Sequence, residues 1–232
     1  MRMTYFHKYY DYNLQVNYRD LMTNGWYNRL HKFIYGDKMP DIMYSIFELY
    51  KDKDIYPMKK DLFSIFNKID LTEINVCIID CKPEITHRSN GVAFANKISY
   101  NNDYDEHLVN LLNKVNNYNQ ETEHKIDYTL DDWISQGVFL YNTALTQFEG
   151  AKRSHKTKWF EFSQEVLKVI NNATTGMIFL FIGDEEVRKP FVDLIDPRLH
   201  IILQNHVLDY DSLNAINLEI DGINGKNCRI KW

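Results

Sequence analysis

The stretch Val76-Cys-Ile-Ile-Asp-Cys-Lys-Pro-Glu-Ile-Thr86, followed closely by Gly91-Val-Ala-Phe94, decides how the rest of the chain is read. Its first part belongs to Ile74–Ile79, a short apolar run with little alternation. That is the pattern of a strand covered on both faces. The run ends at Asp80-Cys81-Lys82-Pro83-Glu84, where a proline among polar residues turns the chain. Three more runs have the same character, Val138–Tyr141, Met177–Ile182 and Leu199–Leu203. Helical spacing lies between them, in Leu108, Leu111, Leu112 and Val115, and again in Trp159, Phe162, Val166, Leu167 and Ile170. Strands alternating with helices predict an α/β fold, a three-layer α/β/α sandwich around a mostly parallel four-stranded sheet. In such sheets sites form beyond the carboxyl ends of the strands. The Asn-rich stretch 116–120 reads as an exposed loop.

Bulk properties narrow the class. With 232 residues and no Pro/Gly/Ser linker or internal repeat, one domain spanning 1–232 is expected. A net charge of −5 is not the footprint of a general nucleic-acid binder. The three cysteines, Cys77, Cys81 and Cys228, form neither a disulfide framework nor a metal-binding pair. A reducing, cytoplasmic or host-intracellular setting is therefore expected, with no metal and no cofactor. The first residues, Met1 to Lys8, carry no apolar signal core, and no run is long enough to span a membrane. Abundant Asn, Lys, Ile and Tyr suit an A/T-rich coding sequence, as in a phage, a virus or a low-GC bacterium.

The turn after Ile79 resembles the water-activating loop of the family-1 uracil-DNA glycosylases, Gly-Gln-Asp-Pro-Tyr-His, with its later Gly-Leu-x-Phe. The resemblance continues in order along the chain. Ile55-Tyr-Pro57 is similar to the family's Tyr-Pro-Pro. Trp133-Ile-Ser-Gln-Gly-Val-Phe-Leu-Tyr-Asn-Thr-Ala-Leu-Thr146 is similar to Trp-x-x-Gln-Gly-Val-Leu-Leu-Leu-Asn-Thr-x-Leu-Thr. Ser154-His-Lys156 and Trp159 match the Ser-His and Trp that follow. The run Ile195 to Gln204 with His206 resembles the strand leading to the family's catalytic His, and Ile230-Lys-Trp232 its closing Ile-Asp-Trp.

The resemblance implies a base pocket from Phe94, which would stack on a flipped base, and Asn142, whose amide would read its polar edge. Cys81 stands where the family has Gln. By residue type alone, Phe94 reads as core and Asn142 as a turn cap. His206 would stabilise negative charge on the departing base, and Leu208 would be the apolar wedge into the duplex. Two positions depart from the family. Lys82 stands for the Asp that positions water and offsets positive charge on the sugar, and Glu84 for the Tyr that rejects a 5-methyl group. A cation ~4 Å from that developing charge costs ~4 kcal/mol at an effective dielectric near ~20. Lys82 and Glu84 are expected to pair with each other or lie solvated. Cys81 could be a reactive thiol.

The loops that would grip phosphates read Asn101 to Glu106, Gly183-Asp184-Glu-Glu186 and His206-Val-Leu208-Asp209-Tyr210-Asp211. All carry acids, which oppose phosphate. The basic loop Lys152-Arg153-Ser-His155-Lys156-Thr-Lys158 could hold one. The expectation is an inactive glycosylase homologue that binds a protein partner through the former DNA face, in viral replication or host interference, with DNA binding weakened and no membrane role. The alternative is an active DNA glycosylase of altered base specificity, using Lys82 as nucleophile or Glu84 as the activating carboxylate.

Overall fold

The computed structural model describes residues 16–52, 54–119 and 126–232. Met1 to Lys8 and Gln120 lie outside them. The sheet is built as the apolar runs dictate. Strands β2 (Val76–Asp80), β3 (Val138–Asn142), β5 (Ile178–Ile182) and β6 (Ile201–Asn205) lie in the order β3-β2-β5-β6. Every neighbouring pair is parallel. β2, β3 and β5 are buried along their whole length, while edge strand β6 is half exposed. β1 (Ile55–Tyr56) and β4 (Gln147–Phe148) form a separate two-residue antiparallel ladder.

Helices α1 (Asn24–Ile34), α2 (Lys38–Asp52), α3 (Glu106–Asn119), α4 (Lys156–Ala173), α5 (Glu185–Val192) and α6 (Tyr210–Asn224) surround the sheet, giving the expected three-layer sandwich. α1 buries Trp26, Tyr27, Leu30 and Ile34, and α4 buries Trp159, Phe162, Val166, Leu167 and Ile170. Trp26 packs on Phe139 of β3, and Phe66 packs edge-on against Tyr141. The Tyr141 hydroxyl hydrogen-bonds Ser163 Oγ at 2.7 Å, and Ser163 reaches the Thr143 carbonyl, also at 2.7 Å. That chain of bonds fastens α4 to the end of β3, satisfying groups that would be costly to bury alone.

The described part of the Asn-rich stretch, residues 116–119, is not a loop. α3 continues to Asn119, because Leu111, Leu112 and Val115 bury a stripe that holds the helix despite its weak helix formers. No helix among the described residues is long and apolar enough to cross a membrane.

The chain leaves β2 to one side for β3, then returns across it to β5 and β6. β2 is therefore where strand order reverses, and its carboxyl end is where a crevice forms. In register, Asn142, Asp80, Ile182 and Asn205 make one row across that end.

Candidate functional site

A cavity of about 390 Å³ opens beyond this row, a volume typical of small-ligand sites. Asp80, Lys82, Phe94, Asn142, His206 and Leu208 are among its lining residues. The structure thus brings together the residues singled out in four separate segments. Asp105, from the acidic loop Asn101 to Glu106, also lines it, as do His107 and Asn96, which nothing in their sequence context marked.

Phe94 is partly buried and has φ of 64°. A bulky residue in that region costs on the order of 1–3 kcal/mol, which packing alone does not require. The turn is pinned by Ala93 N–H to the Leu140 carbonyl at 3.2 Å and by Val92 N–H to Asn90 Oδ1 at 3.0 Å. Asn142 is buried, and its amide has no hydrogen-bond partner among the described residues. It does not cap the turn. That task falls to Thr143, whose N–H and hydroxyl both donate to the Asp80 carbonyl, at 2.9 and 3.1 Å.

The two departing residues do not pair with each other. Lys82 Nζ lies 2.8 Å from Asp184, and Glu84 lies 2.6 Å from Lys152 Nζ. Alternate residues of a turn point apart, so each finds its partner on a distant loop. Asp184 also accepts from His206 Nδ1 at 3.2 Å. The Lys82 ammonium, and after it His206, hold the Asp184 carboxyl below the usual carboxylate range. His206 itself is largely exposed.

The acidic loops face solvent less freely than their sequences imply. Asp103 is held by Arg88 at 2.7 Å and His87 at 3.0 Å, and the His87 and Arg88 hydrogen bonds lower its pKa. Asp209 caps α6 by accepting the Ser212 N–H at 2.8 Å. Asp211 is exposed in the first turn, and Tyr210 lies 6.0 Å from the Lys114 ammonium. Neutralised acids oppose phosphate much less than bare ones.

Other expectations need correcting. Cys81 is buried outside the cavity lining, and burial, with Asp80 beside it, drives its thiol pKa far up. It is neither a pocket residue nor a reactive thiol. Gly183 has no free backbone group for a phosphate. Its N–H donates to the Asn205 carbonyl at 3.0 Å and its carbonyl accepts from Arg188 at 2.8 Å. His155 is buried, so it contacts no phosphate. Trp159 Nε1–H donates to Thr146 Oγ1 at 2.7 Å, leaving the Thr146 hydroxyl to donate to His155 Nδ1 at 2.8 Å. Burial and Lys158 lower its pKa to about 4, so it stays neutral. Arg153 N–H donates to Gln147, and Lys156 is exposed where α4 begins. Leu208 is 1% exposed and cannot wedge into a duplex, whereas Val207 beside it is 49% exposed. Leu208 precedes the Asp209 cap, the position that packs a hydrophobic staple against the helix it leads.

Sequence reasoning missed Asp80. It ends β2, is buried, and accepts the Lys82 N–H at 2.8 Å. Burial raises its pKa to about 7, against the opposing pull of that N–H and the Lys82 charge. Its signal was a carboxylate at the last position of an all-buried strand.

No protein-family model matches the chain. Among curated proteins, a uracil-DNA glycosylase of Borreliella burgdorferi is 32% identical over 177 residues, 72% of this chain and 74% of that one. One of Clostridium beijerinckii is 29% identical over 189 residues, 80% of this chain and 81% of that one. Among solved structures, the mimivirus uracil-DNA glycosylase superposes with a TM-score of 0.77 at 18% identity, covering 98% of this chain and 92% of that one. Relatives named for an enzyme, over most of both chains, overturn the expectation of an inactive accessory factor. That expectation weighed Lys82 and Glu84 without the partners the fold gives them.

Proposed function

The chain belongs to the uracil-DNA glycosylase family, and from that premise we propose that it is an active DNA N-glycosylase that excises pyrimidines without a gate against 5-substituents. The observation that carries this reading is the placement of Phe94, Asn142 and His206 on one cavity beyond the strand ends. A flipped base would stack on Phe94 while the unpartnered Asn142 amide meets its edge, one donor and one acceptor together. His206 donates Nδ1–H to Asp184. The rest of the ring lines the cavity, next to where a departing base would sit. A polar group held beside the leaving base would stabilise the negative charge that grows there.

Glu84 bears on the specificity, and Lys82 does not supply the nucleophile. Glu84 is drawn aside by Lys152 and presents no ring to a 5-methyl group. Lys82 would have to leave its ion pair with Asp184 and lose a proton to act as a Schiff-base nucleophile, so a water route fits better. Incubation with oligonucleotides carrying uracil, thymine or 5-hydroxymethyluracil, single- and double-stranded, tests the proposal. Release of all three is expected, with thymine within roughly 10-fold of uracil, the scale of one ungated methyl. No borohydride-trapped adduct should form. Release of no base from any substrate would end the reading.

The exposed apolar tip of the loop after β6 gives a second test. Val207→Ala should slow excision from duplex DNA by roughly 10-fold and leave single-stranded substrate unaffected, since an apolar wedge acts only where bases are stacked. Leu208→Ala should instead lower stability by about 2–4 kcal/mol, the range for emptying a buried leucine site. Equal losses on both substrates for Val207→Ala would show that the side chain does not wedge.

A further inference from the structure

If the site is a glycosylase site, as proposed above, a group must still activate water, and neither Lys82 nor Glu84 is free to do so. We infer that Asp80 is the catalytic base, the carboxylate standing at the first position of the turn instead of its third.

The geometry supports this directly. Asp80 is the last residue of β2, in register with Asn142 on one side and Ile182 on the other. Neighbours in register on parallel strands point to the same face of the sheet, so the carboxylate stands beside the Asn142 amide. It lines the cavity. One oxygen accepts the Lys82 N–H at 2.8 Å, and the second has no partner among the described residues. The carboxylate is thus fixed from one side and free on the other, as a water-orienting base requires.

The structural alternative is a side chain that merely caps the turn. An asparagine would cap it equally well without a buried charge. Asp80 is buried, and its raised pKa means that ionising it is unfavourable for the fold. A charge held at a cost beside an open cavity is the mark of function over stability.

In the step itself, the water oxygen bonds to sugar C1′ as the C1′–N bond breaks. The water proton passes to the free oxygen of Asp80. The electron pair of the broken bond leaves on the base, next to His206, and the base later takes up a proton. A base of pKa about 7 is half ionised near neutrality, which suits it to accept that proton. The charged groups around it come from four segments. Lys82 and Glu84 belong to its own turn, Asp105 and His107 to the start of α3, Lys152 to the loop before α4, and His206 to the loop after β6. Lys82 and Glu84 are paired with Asp184 and Lys152, and His107 Nε2 donates to the Leu208 carbonyl at 3.0 Å.

The test is single-turnover excision of uracil by the full chain, between about pH 5 and about pH 9, for wild type, Asp80→Asn and Asp80→Glu. The wild-type rate should rise with pH through about 7 as Asp80 loses its proton. Asp80→Asn keeps the acceptor for Lys82 N–H, and should be slower by roughly 10²-fold with that rise abolished. Asp80→Glu should keep the rise at a reduced rate. Melting temperature gives a readout independent of activity. A folded pKa above the unfolded value means that Asp80 destabilises the fold increasingly as pH climbs from about 4 toward 7. Asp80→Asn should therefore melt above wild type at about pH 8, with the gap narrowing toward about pH 5. Asp80→Asn excising at the wild-type rate with the wild-type pH profile would make Asp80 a turn cap and overturn the inference alone. Should Asp80→Asn fail to fold, loss of the pH rise in Asp80→Glu would overturn it. Wild type releasing no base would overturn both this inference and the proposed function.

Discussion

Asn142→Ala is expected to slow base excision by roughly 10³-fold while leaving the melting temperature unchanged. The size follows from the two hydrogen bonds that one amide makes to a base edge. Bonds to a group gaining charge contribute about 1.5–3 kcal/mol each, and every ~1.4 kcal/mol is tenfold in rate. The stability half follows from the partners of this residue. Asn142 ends β3 in a buried position, yet its amide bonds nothing among the described residues. The turn beyond it is held by Thr143 and by Ser163, both of which the substitution leaves alone. The amide faces the cavity and is not among the fully buried unpartnered groups, so its removal leaves no buried partner unsatisfied. Single-turnover kinetics with a uracil oligonucleotide, beside a thermal melt, separates the two effects. A loss of more than roughly 10 °C would place Asn142 in the framework, and an unchanged rate would remove it from the base pocket.

The strands were legible because burial on both faces leaves an unbroken apolar run. Their ends were not, and the errors share one cause. The apolar runs stopped at Ile79, Tyr141 and Leu203, whereas the strands continue to Asp80, Asn142 and Asn205. A polar residue looks like the end of a strand, but in a parallel sheet the last position faces the crevice and is where polar chemistry belongs. Asn142 was recovered through its motif. Asp80 had no motif to recover it and was passed over for Lys82, two residues on. β5 ends on Ile182, and there the apolar run and the strand finish together.

The ion pairs were illegible for another reason. Lys82 meets Asp184 across 102 positions, and Glu84 meets Lys152 across 68. Only the fold makes them neighbours. Adding up acids loop by loop therefore overstated the negative face, since Asp184 and Asp103 each have cationic partners and Asp209 is spent on a helix cap. The Leu208 error was avoidable. Asp209 and Ser212 form the reciprocal cap that opens α6, and the residue before such a cap turns inward to pack.

Gly91→Ala is expected to destabilise the fold by about 3 kcal/mol or more and to slow excision beyond what lost folding explains. Gly91 has φ of +86°, a region that strains any side chain. A Cβ there would also stand 1.8 Å from the Asp61 carbonyl oxygen and 2.9 Å from its carbon. Both are backbone atoms, so no rotamer change relieves the contact. Either the segment at Asp61 or the turn must move. The turn is the same one that holds Phe94 at positive φ and hangs from β3 through Ala93. Moving it shifts the ring on which the base would stack, and displacements near ~1 Å cost roughly 10²-fold in rate. The expected fall in melting temperature is roughly 6–12 °C for a chain of this size. Gly150→Ala supplies the comparison. Gly150 has a similar φ of +70°, but a Cβ there meets nothing within 4 Å. It should therefore carry the backbone strain alone, about 1–2 kcal/mol, with excision unaffected. If the two variants melt alike, strain rather than the Asp61 contact governs Gly91. If Gly91→Ala melts low but excises normally once folded, the position of Phe94 is not set by this turn.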